Sequence, residues 1–186
     1  MCVGIRVITG TLKYDGIVIG GNTLFVILFF FGFLVQGMQE EVMFRGYFMT
    51  SLSNKVPIVV AIMINSVVFA CMHLLNSGIP ILAFSNLILF GVFASVYAIK
   101  TNNLWGICAI HSIWNFVQGN FYGILVSGMD TNTSILKFVS TQNGGNFGLE
   151  GGLAVTIVLV LATTVTLFAN TNKNQAKEEM LEDCEL

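Results

Sequence analysis

The sequence is 186 residues long, 55% hydrophobic and only 10% charged, with a mean hydropathy of +0.81. That balance excludes an ordinary soluble domain and describes a polytopic membrane protein, all-α and built as a transmembrane helix bundle. The net charge of -2 rests on acids crowded between Glu178 and Glu185. The eight Lys and Arg are scattered without a basic face or aromatic platform, which excludes a nucleic-acid-binding surface.

Residues 1–16 are mixed in character and read as a short interfacial lead-in. Arg6 and Lys13 precede an apolar run, but no small-residue cleavage site follows, so the run reads as a retained helix and not a signal peptide. It continues without Pro or a turn cluster to Ser51–Pro57, which predicts one long helix over about residues 20–53, roughly 50 Å long at 1.5 Å per residue. That exceeds the ~30 Å hydrocarbon core and requires tilt or protrusion.

Pro57 suits the first turn of a second helix over 56–75. Asn76-Ser77-Gly78 makes a turn, and Pro80 opens a third helix to about Ile99. Lys100–Asn103 closes it, and a fourth helix runs over 104–125. Residues 127–152, rich in Ser, Thr, Asn and Gly, read as an extramembrane loop or lid. A last apolar span over 153–169 brings the count to five membrane helices within a unit of residues 17–170, followed by a polar acidic tail, 171–186.

If the helices alternate, Lys55, Lys100, Lys173 and Lys177 share one side against Arg6, Lys13 and Lys137, which leans toward a cytoplasmic C-terminus in a bacterial cell membrane. Cys2, Cys71, Cys108 and Cys184 show no CxxC or zinc-ribbon spacing. Cys71 and Cys108 read as small buried hydrophobes.

Against this apolar background, Glu40-Glu41-Val42-Met43-Phe44-Arg45 is anomalous. A charge at membrane depth costs about 2.5–3.5 kcal/mol on insertion scales, so the cluster marks a functional site with partners. Glu41 and Arg45 stand i and i+4, the favourable order for an ion pair. Two acids and one Arg still leave a charge to place. Antiparallel hairpins bring His73, His111 and Asn115 to similar depth, and His111 and Asn115, also i and i+4, share one helical face. Phe69 lies one turn before His73 and can wall the site, whereas Asn65, Asn86 and Gln118 read as interhelical glue.

Glu-Glu-x-x-x-Arg at Glu40–Arg45, Phe-x-x-x-His at Phe69–His73 and His-x-x-x-Asn at His111–Asn115 together resemble the three motifs of the CPBP family, the CAAX prenyl protease and bacteriocin-processing (Abi) intramembrane endopeptidases. The resemblance covers about residues 24–121. Members carry several helices ahead of the Glu-Glu pair, where this sequence offers only the start of one.

The resemblance implies hydrolysis of peptide bonds in a peptide or membrane-protein substrate. Glu40 would be the general base and His73 would help to hold the water. His111 and Asn115 would be oxyanion donors, with Glu41 and Arg45 in support. No cofactor is implied. Zinc on Glu40, His73 and His111 is the metal alternative, against which stand the missing His-Glu-x-x-His and the poor ligand quality of Asn115. A Cys108 nucleophile lacks a second base. Two further readings are a proton or ion path, which inverted repeats and broken helices do not support, and a non-catalytic bacteriocin self-immunity protein or membrane partner.

Overall fold

The computed structural model describes residues 1–18, 23–76, 78–140 and 147–169, and the chain is mostly helical over them. The expected acidic tail, 171–186, and Ser77 of the expected turn lie outside the described residues.

Among the described residues, three helices are long and apolar enough to cross a membrane: α2 (Thr23–Ser53), α3 (Ile58–Leu75) and α4 (Ile81–Thr101). Of the single long helix expected over 20–53, the described part, Thr23–Ser53, is present, but it is not α-helical throughout: Val42–Met49 forms a π-helical stretch within it. Pro57 and Pro80 stand just ahead of α3 and α4 as extended capping residues, one position outside the helix rather than inside it. Asn102 takes the left-handed conformation that ends α4, and the Asn103 side chain then accepts from the Gly106 N–H to start α5 (Leu104–Phe116). A π-helical turn, Val117–Phe121, extends α5, so it stops four residues short of the expected end. The last helix, α6 (Leu153–Phe168), is apolar but shorter than a full span.

The bundle is centred on α4. In the most apolar window of each helix, 44% is buried for α4 against 6% for α2, so α2 presents most of its surface outward while α4 packs against α3 and α6. One buried cluster joins Phe44, Phe69, Ala70, Ala83, Leu87 and Phe147. The other gathers Phe93, Ala94, Ile107, Ile124, Leu149 and Val155 around Cys2 and Leu12. The outward faces carry Phe25, Phe31, Val59, Met63 and Val165, large apolar side chains suited to lipid contact.

The expected lead-in and loop carry regular structure. α1 (Cys2–Ile8) is followed by β1 (Leu12–Ile17), which pairs antiparallel with β2 (Leu136–Ser140) out of the expected loop, with a bulge between Tyr14 and Gly16. Arg6, counted above as a loop charge, is buried, and its guanidinium donates to the Gly148 carbonyl and the Ser140 hydroxyl, each at 3.2 Å. Arg6 thereby ties α1 to the end of β2 and to Gly148 ahead of α6.

Candidate active site

Glu41 sits at the centre of the polar cluster. It is fully buried, and its Oε1 accepts from Arg45 Nη1 at 2.9 Å and from His111 Nδ1 at 2.7 Å. Arg45, equally buried, donates from Nη2 to the Gly91 carbonyl of α4 and lies over the Phe69 ring at 4.6 Å. A planar guanidinium between a carboxylate, a carbonyl and an aromatic face is held on three sides, which offsets part of its desolvation. The ion pair expected between Glu41 and Arg45 is therefore present, but Glu41 holds His111 as well.

Glu40, the neighbouring acid, points about 100° away around the helix. Its Oε1 accepts from Gln36 Nε2 at 2.5 Å. Its Oε2 is buried, makes no hydrogen bond among the described residues, and faces His111 Nε2 at 3.8 Å. That separation exceeds hydrogen-bond reach. His111 thus stands between the two acids, fixed through Nδ1 to one and presenting Nε2 to the other.

His73 lies on the short 3₁₀ turn that ends α3. Its Nδ1–H donates to the Phe69 carbonyl at 3.0 Å, and its ring stacks on Phe69 with centroids 4.9 Å apart. It makes no direct bond to Glu40. Asn115 donates from Nδ2 to Gln36 Oε1 at 3.1 Å. Glu40, His73, His111 and Asn115 all line one cavity of about 290 Å³, together with Gln36, Asn76 and Ser127. Phe69 is 1% exposed and serves as core and as wall, packed against His73, His111 and Arg45.

A second, apolar cavity of about 170 Å³, lined by Phe69, Leu87, Phe90, Trp114 and Leu159, shares His73, His111, Asn115 and Ser127 with the first. Ser127 adjoins both, at φ +48°, and its carbonyl accepts from Asn76 Nδ2 at 2.8 Å, which ties the segment after α5 to the turn after His73.

Glu40, His73 and His111 do not form the ligand set that a zinc ion would need. Among the described residues, no three His, Cys, Asp or Glu are placed to hold a metal ion together. Cys108 is buried and free and does not line the cavity. The three residues read as glue bond as glue: Asn65 donates to Ser95, Asn86 to the carbonyls of Glu150 and Gly152, and Gln118 to the Leu125 carbonyl and Glu150.

Two residues escaped the sequence reading. Gln36 is one turn before Glu40, and the i, i+4 arithmetic that paired Glu41 with Arg45 would have found it. Glu150, in the 3₁₀ turn Leu149–Gly151 ahead of α6, is a lone acid in a Gly-rich loop beside an apolar helix. Burial pushes its carboxyl up to about 7, against hydrogen bonds from Gln118, its own backbone, Trp114 and the Ser127 backbone that hold it down.

A buried cluster of acids on α2, a helix of membrane length, with an imidazole and an amide from the shorter α5 defines a helical membrane protein with a polar site inside the bundle. The chain belongs to the Rce1-like family: residues 22–117 match the family described as type II CAAX prenyl endopeptidase Rce1-like. That membership points to CAAX-type intramembrane protease activity on peptide substrates and to an integral membrane protein. No curated protein and no solved structure matches the chain.

Proposed function

We propose that the chain is an intramembrane endopeptidase that hydrolyses peptide bonds with a water activated by Glu40. The observation that carries this reading is the uncommitted Glu40 Oε2, buried 3.8 Å from His111 Nε2, on a residue that lines one cavity with His73 and Asn115.

In this reading Glu40 Oε2 takes a proton from the water as its oxygen attacks the peptide carbonyl carbon, then returns it to the leaving nitrogen as the C–N bond breaks. His73 donates Nδ1–H to the Phe69 carbonyl, so the neutral ring keeps its lone pair on Nε2 and accepts a hydrogen bond from the same water. Asn115 Nδ2 carries two hydrogens; one is held by Gln36 and the other serves the developing oxyanion. His111 donates from Nε2 only in its doubly protonated form, because Nδ1–H is committed to Glu41. Glu41 and Arg45 hold His111 in place.

The adjoining apolar cavity suits an apolar side chain next to the scissile bond. Leu104–Phe121 and α6 complete a five-helix membrane unit in this reading.

The test is cleavage of a peptide library by the purified protein in detergent, wild type against Glu40→Gln, with and without a zinc chelator. Glu40→Gln is expected to lose about 10²–10⁴-fold in kcat, and the chelator to leave turnover intact. Equal turnover in wild type and variant sinks the reading.

A further inference from the structure

The side-chain amide of Gln36 is bound at both ends by groups of the proposed reaction. Its Nε2 donates to Glu40 Oε1 at 2.5 Å, and its Oε1 accepts from Asn115 Nδ2 at 3.1 Å. We infer that Gln36 is a positioning residue, which commits one oxygen of Glu40, leaves the other as the base, and fixes the oxyanion donor at a set distance from it. This rests on the roles given above to Glu40 and Asn115.

The direction of the chain of bonds follows from its first member. An ionised carboxylate only accepts, so the nitrogen of Gln36 must face Glu40 and its oxygen must face Asn115. Asn115 in turn must offer nitrogen, not oxygen, along this edge. An asparagine amide alone would be free to turn either way. Gln36 removes that choice and leaves the second N–H of Asn115 for the cavity.

Selection of the base works the same way. The two oxygens of a free carboxylate are equivalent. Here Oε1 is held by Gln36, while Oε2 has no protein donor and faces His111 Nε2 at 3.8 Å. The oxygen without a partner is the one left free to accept a proton.

The backbone explains why the reach is short enough. A Cβ on Gly37, the next residue, would lie 2.9 Å from the Ser112 backbone nitrogen, so α2 and α5 cross in near backbone contact there. Gln36 is one residue from this crossing and Asn115 is three. Small residues at such a crossing let helices approach closely, and a side chain at position 37 would stretch the bond between Gln36 and Asn115.

The experiment uses the full chain in detergent and a peptide cleaved by wild type in the library assay. Rates are measured over a range of substrate for Gln36→Leu, Gln36→Asn, Asn115→Ala, the Gln36→Leu/Asn115→Ala double variant and Glu40→Gln, with melting temperatures alongside. Gln36→Leu is expected to lower kcat about 10²-fold with little change in KM, since a displacement near 1 Å has that effect. Gln36→Asn, which keeps both amide groups on a shorter arm, is expected to recover part of the rate. In the Asn115→Ala background the loss from Gln36→Leu should shrink, because part of it acts through Asn115.

Wild-type kcat in Gln36→Leu beside an inactive Glu40→Gln overturns the positioning role and leaves the base in place. Losses that multiply fully in the double variant, and that track the fraction of folded protein, overturn it too. An active Glu40→Gln overturns the base assignment itself.

Discussion

Among the described residues, two buried carboxylate clusters are built on opposite rules. Around Glu150, the carboxylate is the hub of bonds from Gln118, Trp114 and the Ser127 backbone, while its own carbonyl takes the Asn86 amide at 2.6 Å. Around Glu40 and Glu41, each acid uses one oxygen and leaves the other without a protein partner, and Arg45 Nε is also left over. A saturated buried acid holds elements together. An acid with a spare oxygen on a cavity wall retains capacity for chemistry, at a cost in stability that the surrounding fold must offset.

The largest expected effect on folding separates the two neighbouring acids of the first cluster. Glu41→Gln leaves Arg45 buried without its counter-charge and should cost about 3–5 kcal/mol, read as a large drop in melting temperature in detergent. Glu40→Gln should melt close to wild type. If the two variants melt alike, the division between a structural and a reactive acid fails.

Gly148 probes the second cluster. Its φ is +94°, and a Cβ there would run into the Leu125 carbonyl and approach Glu150 Oε2 at 2.8 Å. Gly148→Ala should cost about 2–4 kcal/mol from backbone strain and overpacking combined, seen in the same melting assay. A neutral result would mean that Glu150 is held less tightly than its bonds indicate.

Glu150 gives the comparison a pH dependence. Its carboxyl is raised from 4.5 to about 7 in the folded protein, so between those values the folded state keeps a proton that the unfolded state has released. This contribution to stability is present below about 4.5 and is lost as pH rises toward about 7. The difference in melting temperature between wild type and Glu150→Gln, followed from pH 4.5 to 7.5, should move against wild type as pH rises. A difference that stays flat would show that Glu150 ionises alike in both states.

The smallest effect is a control outside both clusters. Lys137 and Asp15 pair at 2.8 Å across the β1–β2 ladder, but both side chains are largely exposed. Lys137→Ala should leave the melting temperature within measurement error, because solvated ion pairs of this kind contribute little.

Much of the first cluster was legible in the sequence, and little of the second. Helical spacing pairs Glu41 with Arg45, and antiparallel connection sets His73 and His111 at the depth of the acids. Both depend on helix geometry, and Glu41 and Arg45 still meet although Arg45 lies in the π-helical stretch. Which acid would hold His111 was not legible. It turns on packing between α2 and α5: Glu41 binds His111 Nδ1, and Glu40 meets the same ring only at 3.8 Å.

The Glu150 cluster was hidden for a different reason. It joins Arg6, Gln118, Asn86 and residues near 148, and its strands, Leu12–Ile17 and Leu136–Ser140, are far apart in the chain and too short to show a clear alternation. The three membrane-length helices were visible as apolar runs. α5 and α6 were visible only as apolar stretches, because each is too short to declare itself by length.

The π-helical stretch Val42–Met49 has a genetic consequence. An α-helix advances each residue by about 100°, whereas a run of i→i+5 bonds advances each by less. The direction in which Phe44, Arg45 and Met49 point inward therefore depends on how many residues lie between Glu41 and Thr50, and not only on which they are. A change of spelling at exposed Val42 or Met43 leaves that count intact. An in-frame deletion or insertion of a single codon there rotates the rest of the helix to Ser53 out of phase with Glu41, so this segment should tolerate substitution far better than change of length.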